Sequence, residues 1–260
     1  MNERSDDLEP GVALVTGGAL RIGRAIALSL GARGWRVAVH YRQSAVEAQE
    51  VVAEIEASGG RAMAIQADLA DEDEAGSLIS RIGQTLGTVT CLINNASEFE
   101  KDTIETVTRE SWDRHIAINL RAPLVLTQAF AAALDSAGAT GNVINMLDQR
   151  IWKLTPVFLS YTVSKTGLWT LTQTLAQALA PRVRVNAIGP GPTLPSKRQS
   201  HQHFAAQTEA VLLGHGATPD EICRAVQFIL DAPSLTGQMI ALDGGQHLAW
   251  RTPDIINAKE

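Results

Sequence analysis

The stretch VALVTGGALRIGRAIALSLGARG (residues 12–34) decides the fold. VALVT (12–16) is short, apolar and rich in valine, as a buried strand requires. IGRAIALSLGARG (22–34) repeats apolar residues at helical spacing and stops at Gly34. TGGALRIG (16–23) joins the two. Gly17 permits a tight turn there, Gly23 permits close approach of helix and strand, and the helix N-terminus can receive a pyrophosphate. Strand, glycine turn and helix in this order open a nucleotide-binding α/β sheet.

The same alternation continues along the chain. Strands are expected at 35–41, 61–68, 89–96, 142–147, 182–188 and 238–243. Helices are expected at 45–58, then up to about residue 86, and at 111–136, 159–180, 203–213 and 219–230. The strands are almost continuously apolar, which suits a parallel sheet covered on both faces. The expected fold is therefore α/β, a single-domain Rossmann-type doubly wound parallel sheet flanked by helices on both faces. It should span 11–250, with a flexible N-terminus at 1–10 and a tail at 251–260. Ligands of such sheets bind beyond the carboxyl ends of the strands. Asp148, in NMLDQR (145–150), is expected at one of those ends, while Gln149 and Arg150 read as turn residues.

Composition narrows the function classes. Of 260 residues, 45% are hydrophobic and 19% charged, an ordinary globular balance, and the net charge of −6 gives no footing for nucleic acid or an anionic membrane. The start, MNERSDDLEP, has neither the basic nor the apolar segment of a signal peptide. No apolar run approaches the roughly 20 residues of a bilayer span. Cys91 and Cys223 lie in apolar surroundings and read as two buried thiols of a cytoplasmic protein. His201 and His203 have a His-x-His spacing but no acidic or cysteine partner nearby, so no metal is expected. The polar, proline-bearing segment 192–204 reads as a mobile lid.

The second strand ends VHYRQS, with His40, Tyr41, Arg42 and Ser44 and no acid before Glu47. An acid at this point would bind the ribose 2′-hydroxyl of NAD, whereas a cation favours the 2′-phosphate of NADP. Arg21 adds a second cation in the glycine turn, so NADPH is the expected cofactor.

TGGALRIG, NNAS (94–97), Asn119, YTVSK (161–165) and VNAIGPG (185–191) stand in the order and spacing of the short-chain dehydrogenase/reductase family, which the chain resembles from about residue 11 to 248. The resemblance implies that Tyr161, Lys165, Asn119 and the residue 13 positions before the tyrosine carry the chemistry. Tyr161 and Lys165 are four apart and share one helix face. The ammonium should lower the phenol pKa from about 10, making Tyr161 a proton donor near neutral pH. It further implies cofactor contacts at Gly17, Arg21, Ile22, Gly23, His40, Tyr41, Arg42, Ser44, Asp68, Leu69, Asn95, Ala96, Pro190, Gly191 and Thr193, as well as at Tyr161 and Lys165. Homotetramers built on the long helices at 111–136 and 159–180 are the family's common assembly.

Two positions depart from the usual pattern. Asp148 stands where most of the family has a serine, and Arg21 where it has a glycine. Both features resemble the pteridine reductases, as do Ser97 and Phe99 in NNASEF, whereas Gln43 falls where those proteins commonly have arginine. The resemblance implies a pterin held between Phe99 and the nicotinamide, with Arg21, Ser97, Asp148 and Tyr161 around it and Asn119 serving a proton relay. Electrostatics agrees. Reducing a ketone builds negative charge on oxygen, and a carboxylate roughly 4 Å away at an effective dielectric near 20 opposes it by about 4 kcal/mol. A 2-amino-4-oxo-pteridine offers N–H donors and a C=N bond instead. The alternatives are a carbonyl or imine reductase with Asp148 protonated or turned aside, and a noncatalytic NADP-binding regulatory protein. The trio Tyr161, Lys165 and Asn119 weighs against the last.

Overall fold

The computed structural model describes residues 10–196, 199–252 and 256. The flexible N-terminus expected at 1–10 lies, except for Pro10, outside the described residues, as do most of the tail expected at 251–260 and Lys197 and Arg198 of the expected lid.

Seven strands form one sheet: β1 (Val12–Val15), β2 (Arg36–Tyr41), β3 (Ala62–Gln66), β4 (Val89–Asn94), β5 (Gly141–Met146), β6 (Val183–Pro190) and β7 (Met239–Leu242). Their order is β3-β2-β1-β4-β5-β6-β7 and every pairing is parallel, as expected of a doubly wound sheet. The helices are α1 (Arg21–Ala32), α2 (Ala45–Ala57), α3 (Glu72–Leu86), α4 (Arg109–Ile116), α5 (Ala122–Ala137), α6 (Leu159–Leu179), α7 (His201–Glu209) and α8 (Pro219–Asp231).

Each face of the sheet has its own core. On one, Ile26 and Leu30 of α1, Val51 and Ile55 of α2 and Val226 and Ile229 of α8 pack on Val37, Val39 and Ile93. On the other, Leu78 and Ile82 of α3 and Leu126 and Phe130 of α5 pack on Leu14, Leu92 and Val143. Fully burying one such side chain stabilises the fold by about 1.5–3 kcal/mol. Both faces are thus occupied, and a ligand is left the ends of the strands.

The helix expected at 111–136 is one continuous stretch, Arg109–Ala137, with a π-helical turn at Ala117–Arg121 between α4 and α5. It has the length and mean hydropathy to cross a membrane, yet it is a core helix here. Its apolar side packs on the sheet, and its first turns carry Arg109, Glu110, Asp113 and Arg114. Cys91 and Cys223 are free thiols, Cys91 fully enclosed.

The strand order reverses between β1 and β4, and the crevice outside their carboxyl ends is where such sheets take ligands. Gly17, Arg42, Asp68, Asn95, Asp148 and Gly191 each lie just past the end of a different strand, from β1 to β6.

Candidate active site

The glycine turn is braced from below. Gly17 takes a left-handed φ of 61° and donates its N–H to His40 Nδ1 at 3.0 Å. An accepting Nδ1 places the imidazole proton on Nε2, which donates to the carbonyl of Ala67 at 3.1 Å. Asn95 Nδ2 donates to the carbonyls of Thr16 and Gly17, and the Thr16 hydroxyl accepts from the backbone N–H groups of Asn95 and Ala96. A Cβ on Gly23 would stand 2.2 Å from the Gly17 carbonyl oxygen, so only glycine lets α1 start this close. His40 and Asn95 therefore use their side chains to hold the turn.

Burial of His40, which is 2% exposed, lowers its pKa from 6.5 to about 4. An unfolded chain takes up this proton below pH 6.5 and the folded one only near 4, so stability falls as pH drops through that window. The loss amounts to about 3 kcal/mol by pH 4. Urea unfolding at pH 7 and pH 4.5 should show it. The drop should be smaller in His40→Gln; an equal drop would assign the acid sensitivity to other groups.

Arg21 also takes a left-handed φ, 56°, a region that favours glycine. Its guanidinium forks onto two carbonyls of the segment after β6, Nη1 to Pro195 at 2.7 Å and Nη2 to Leu194 at 3.1 Å. Of the two cations expected at the cofactor, Arg21 is thus engaged with the start of the segment 192–204. Arg42 lies half-buried beyond β2, with no hydrogen bond or ion pair to another described residue. Ile22 is half-buried in the first turn of α1. At the end of β2 and beyond it, Tyr41 and Ser44 are half-buried, and beyond β3 Leu69 is buried. Asp68 receives the Ala70 N–H and donates its own backbone N–H to Glu74. At the end of β6, Pro190 pairs with Leu242, and the Thr193 hydroxyl donates to the Gly191 carbonyl.

The expected chemical centre sits on α6. Tyr161, Ser164, Lys165, Leu168 and Thr172 follow i, i+3, i+4 spacing and are all buried on the side facing β5 and β6. The Tyr161 hydroxyl donates to Asp148 Oδ2 at 3.0 Å. Lys165 Nζ donates to the carbonyl of Met146 at 2.8 Å and stands 5.8 Å from the Tyr161 ring centroid. Burial pulls Lys165 down to about 8, against the raising effect of Asp148. Burial and the adjacent carboxylate push Tyr161 well above its usual 10. The lowered phenol pKa expected from Lys165 is thus corrected: Asp148 lies on the hydroxyl itself, and Tyr161 is a neutral phenol.

Arg150 corrects another expectation. Its backbone follows the turn anticipated for DQR, but its side chain belongs to the site. The N–H of Arg150 donates to Asp148 Oδ1 at 2.8 Å, and Nη1 donates to Oδ2 at 3.2 Å. The guanidinium carbon stands 4.9 Å from the Phe158 ring centroid and 5.6 Å from that of Phe99. Those two rings stack at 4.6 Å and 3°, and Phe99 meets Tyr161 edge-on at 4.7 Å. Trp152 is half exposed and turns toward His247.

Asn119, in the π-helical turn, uses its full hydrogen-bonding capacity on neighbours. Nδ2 donates to the Glu98 carbonyl and to Ser164 Oγ, while Oδ1 accepts from the Glu98 N–H and from Ser97 Oγ. It clamps the loop after β4 to α6, as a positioning residue. A second clamp escaped the sequence reading. Asp102 accepts from the N–H and hydroxyl of Ser160, and the same hydroxyl lies 2.8 Å from His115 Nδ1. All three are buried. One signal existed: the residue before α6 is Phe158, which cannot cap a helix, so the cap had to come from elsewhere.

The family described as short chain dehydrogenase matches residues 11–205. The FolM alternative dihydrofolate reductase 1 of Brucella canis, solved with NADP, superposes with a TM-score of 0.92 at 46% identity, covering 97% of this chain and all of that one. An uncharacterized oxidoreductase of Methylorubrum extorquens is 35% identical over 92% of this chain and 98% of its own. A 3-oxoacyl-[acyl-carrier-protein] reductase of Synechocystis is 33% identical over 90% of this chain and 96% of its own. With the sheet order, the glycine turn and the Tyr161/Lys165 face alongside these matches, the chain belongs to the short-chain dehydrogenase family of oxidoreductases.

Proposed function

We propose that the protein is an NADPH-dependent reductase acting on a C=N bond of a pterin or dihydrofolate-like ring. The observation that carries this reading is the Asp148 carboxylate bonded to the Tyr161 hydroxyl at 3.0 Å. A carboxylate there repels the oxyanion of a reduced ketone but accepts N–H groups of an aminopterin. The FolM protein of Brucella canis, with its NADP, lends the reading support.

The residues present fit this cofactor. The glycine turn keeps side chains away from the N-terminus of α1, whose first turn has no acidic residue and no side-chain cap. Arg42 supplies a cation for a 2′-phosphate, and Ser44 starts α2 without using its hydroxyl as a cap. When bound, NADPH supplies the hydride. The chain's own groups do the rest. Phe99 offers a ring face, Asp148 accepts ring or amino N–H groups, and Tyr161 gives a proton to the ring nitrogen. Lys165 Nζ stands 5.8 Å from the Tyr161 ring centroid, and Arg150 is the cation that favours the phenolate left behind; Asn119 and Asp102 hold the two segments that carry these groups.

The test follows NADPH consumption with dihydrobiopterin, dihydromonapterin, dihydrofolate, simple ketones and a 3-oxoacyl thioester. Turnover is expected with at least one dihydropterin or dihydrofolate, and with NADPH in preference to NADH. Turnover of the carbonyl compounds alone would replace this reading with a carbonyl reductase. Tight NADPH binding without any turnover would make the protein a sensor.

A further inference from the structure

Arg150 has the surroundings of a bound ligand. Its guanidinium lies over the Phe158 and Phe99 rings and gives one N–H to Asp148 Oδ2, the oxygen that also receives the Tyr161 hydroxyl. Arg150 and Asp148 side chains are 19% and 14% exposed. Arg150 Nε is buried with no hydrogen-bond partner among the described residues, so the side chain is held without being fully satisfied. Phe158 reaches it from a left-handed φ of 60°, a conformation that a bulky residue adopts only where its surroundings impose it.

A guanidinium is flat and rich in N–H groups. It sits against the stacked aromatic pair and gives the carboxylate the kind of donor edge that a 2-amino-4-oxo pyrimidine ring presents. We propose that Arg150 sets the specificity of the site by holding, in the free protein, the place of the substrate's amino-bearing ring edge. A ring enters only by replacing both the donation to Asp148 and the contact with the aromatic pair. A ketone, with no N–H to give, leaves the arginine where it is. The class of ring rests on the pterin reading above; the occupancy of the place by Arg150 does not.

The experiment measures, by calorimetry on the full chain, the affinity of 2,4-diaminopyrimidine, a ring that cannot be turned over here. The protein is compared with Arg150→Met, which keeps an unbranched apolar chain without donors, and with Arg150→Lys, which keeps the charge without the plane. The Asp148 contact with the backbone N–H of residue 150 survives in both. Arg150→Met should bind roughly tenfold more tightly or better, and Arg150→Lys should gain less. Far-UV circular dichroism and NADPH binding check the fold; should the methionine variant not fold, a gain in the lysine variant carries the proposal. Equal or weaker binding in the variant, or no binding to either protein, overturns it. Dihydropterin turnover is scored separately. Tighter binding without turnover would end the reductase reading and leave Arg150 its place, whereas turnover with unchanged affinity would do the reverse.

Discussion

Asp148→Ser is expected to lower kcat/KM for a dihydropterin by roughly a hundredfold or more, and to raise the rate with a ketone. A hydrogen bond to a charged group contributes about 1.5–3 kcal/mol. Losing one or two of them at the pterin edge costs about 3 kcal/mol, which is that hundredfold. With a ketone the sign reverses, because the serine removes a carboxylate from beside the growing oxyanion; the Arg150 guanidinium paired with that carboxylate keeps the gain below the roughly 4 kcal/mol of an unpaired charge. Serine also frees Tyr161 from the carboxylate that raises its pKa, and so makes it a better acid. Asp148→Asn separates charge from shape: it should lose most of the pterin rate while still offering an oxygen. Steady-state kinetics with one pterin and one ketone decide the matter. A serine variant with an unchanged pterin rate would remove Asp148 from substrate recognition.

Asp148 was legible because its place follows from the backbone. A buried parallel strand has to end in the ligand crevice, and Val143, Ile144 and Met146 mark that strand by their apolar character. Gly17 and Gly23 were legible as positions of a turn, whereas the spacing of Tyr161 and Lys165 gave only a shared helix face and the family resemblance singled the pair out. The side chains that come together across loops were not. Nothing in the spacing of Phe99, Arg150 and Phe158 brings them into contact; that depends on a left-handed φ at Phe158 and on Asp102 capping α6. The π-helical turn around Asn119 has no compositional mark either, since its one extra residue per turn lies within an ordinary amphipathic pattern. Arg21 shows the intermediate case. Its position in the turn was readable, but its forked bond to Leu194 and Pro195 joins segments far apart in the chain.

The second large effect is expected from Tyr161→Phe, which should lower kcat by 10²- to 10⁴-fold, roughly the contribution of a positioned general acid. KM and NADPH affinity should change little, since the ring and its edge-on contact with Phe99 remain. Because burial and Asp148 hold Tyr161 well above 10, it stays protonated across the working range, as the proposed acid must. Once it has given its proton, the phenolate faces a carboxylate 3.0 Å away, an arrangement that drives rapid reprotonation. Arg150 is the nearer cation to the hydroxyl; Lys165 stands 5.8 Å from the ring centroid, and burial lowers its pKa to about 8. Below that pH it is charged and stabilises the phenolate; above it the charge is lost. The rate of the native enzyme should therefore fall as pH rises through about 8, well before the phenol itself would ionise. Tyr161→Phe has no phenolate to stabilise, so its small residual rate should lack that limb. A phenylalanine variant with near-native kcat would mean that the ring nitrogen takes its proton from solvent or arrives already protonated.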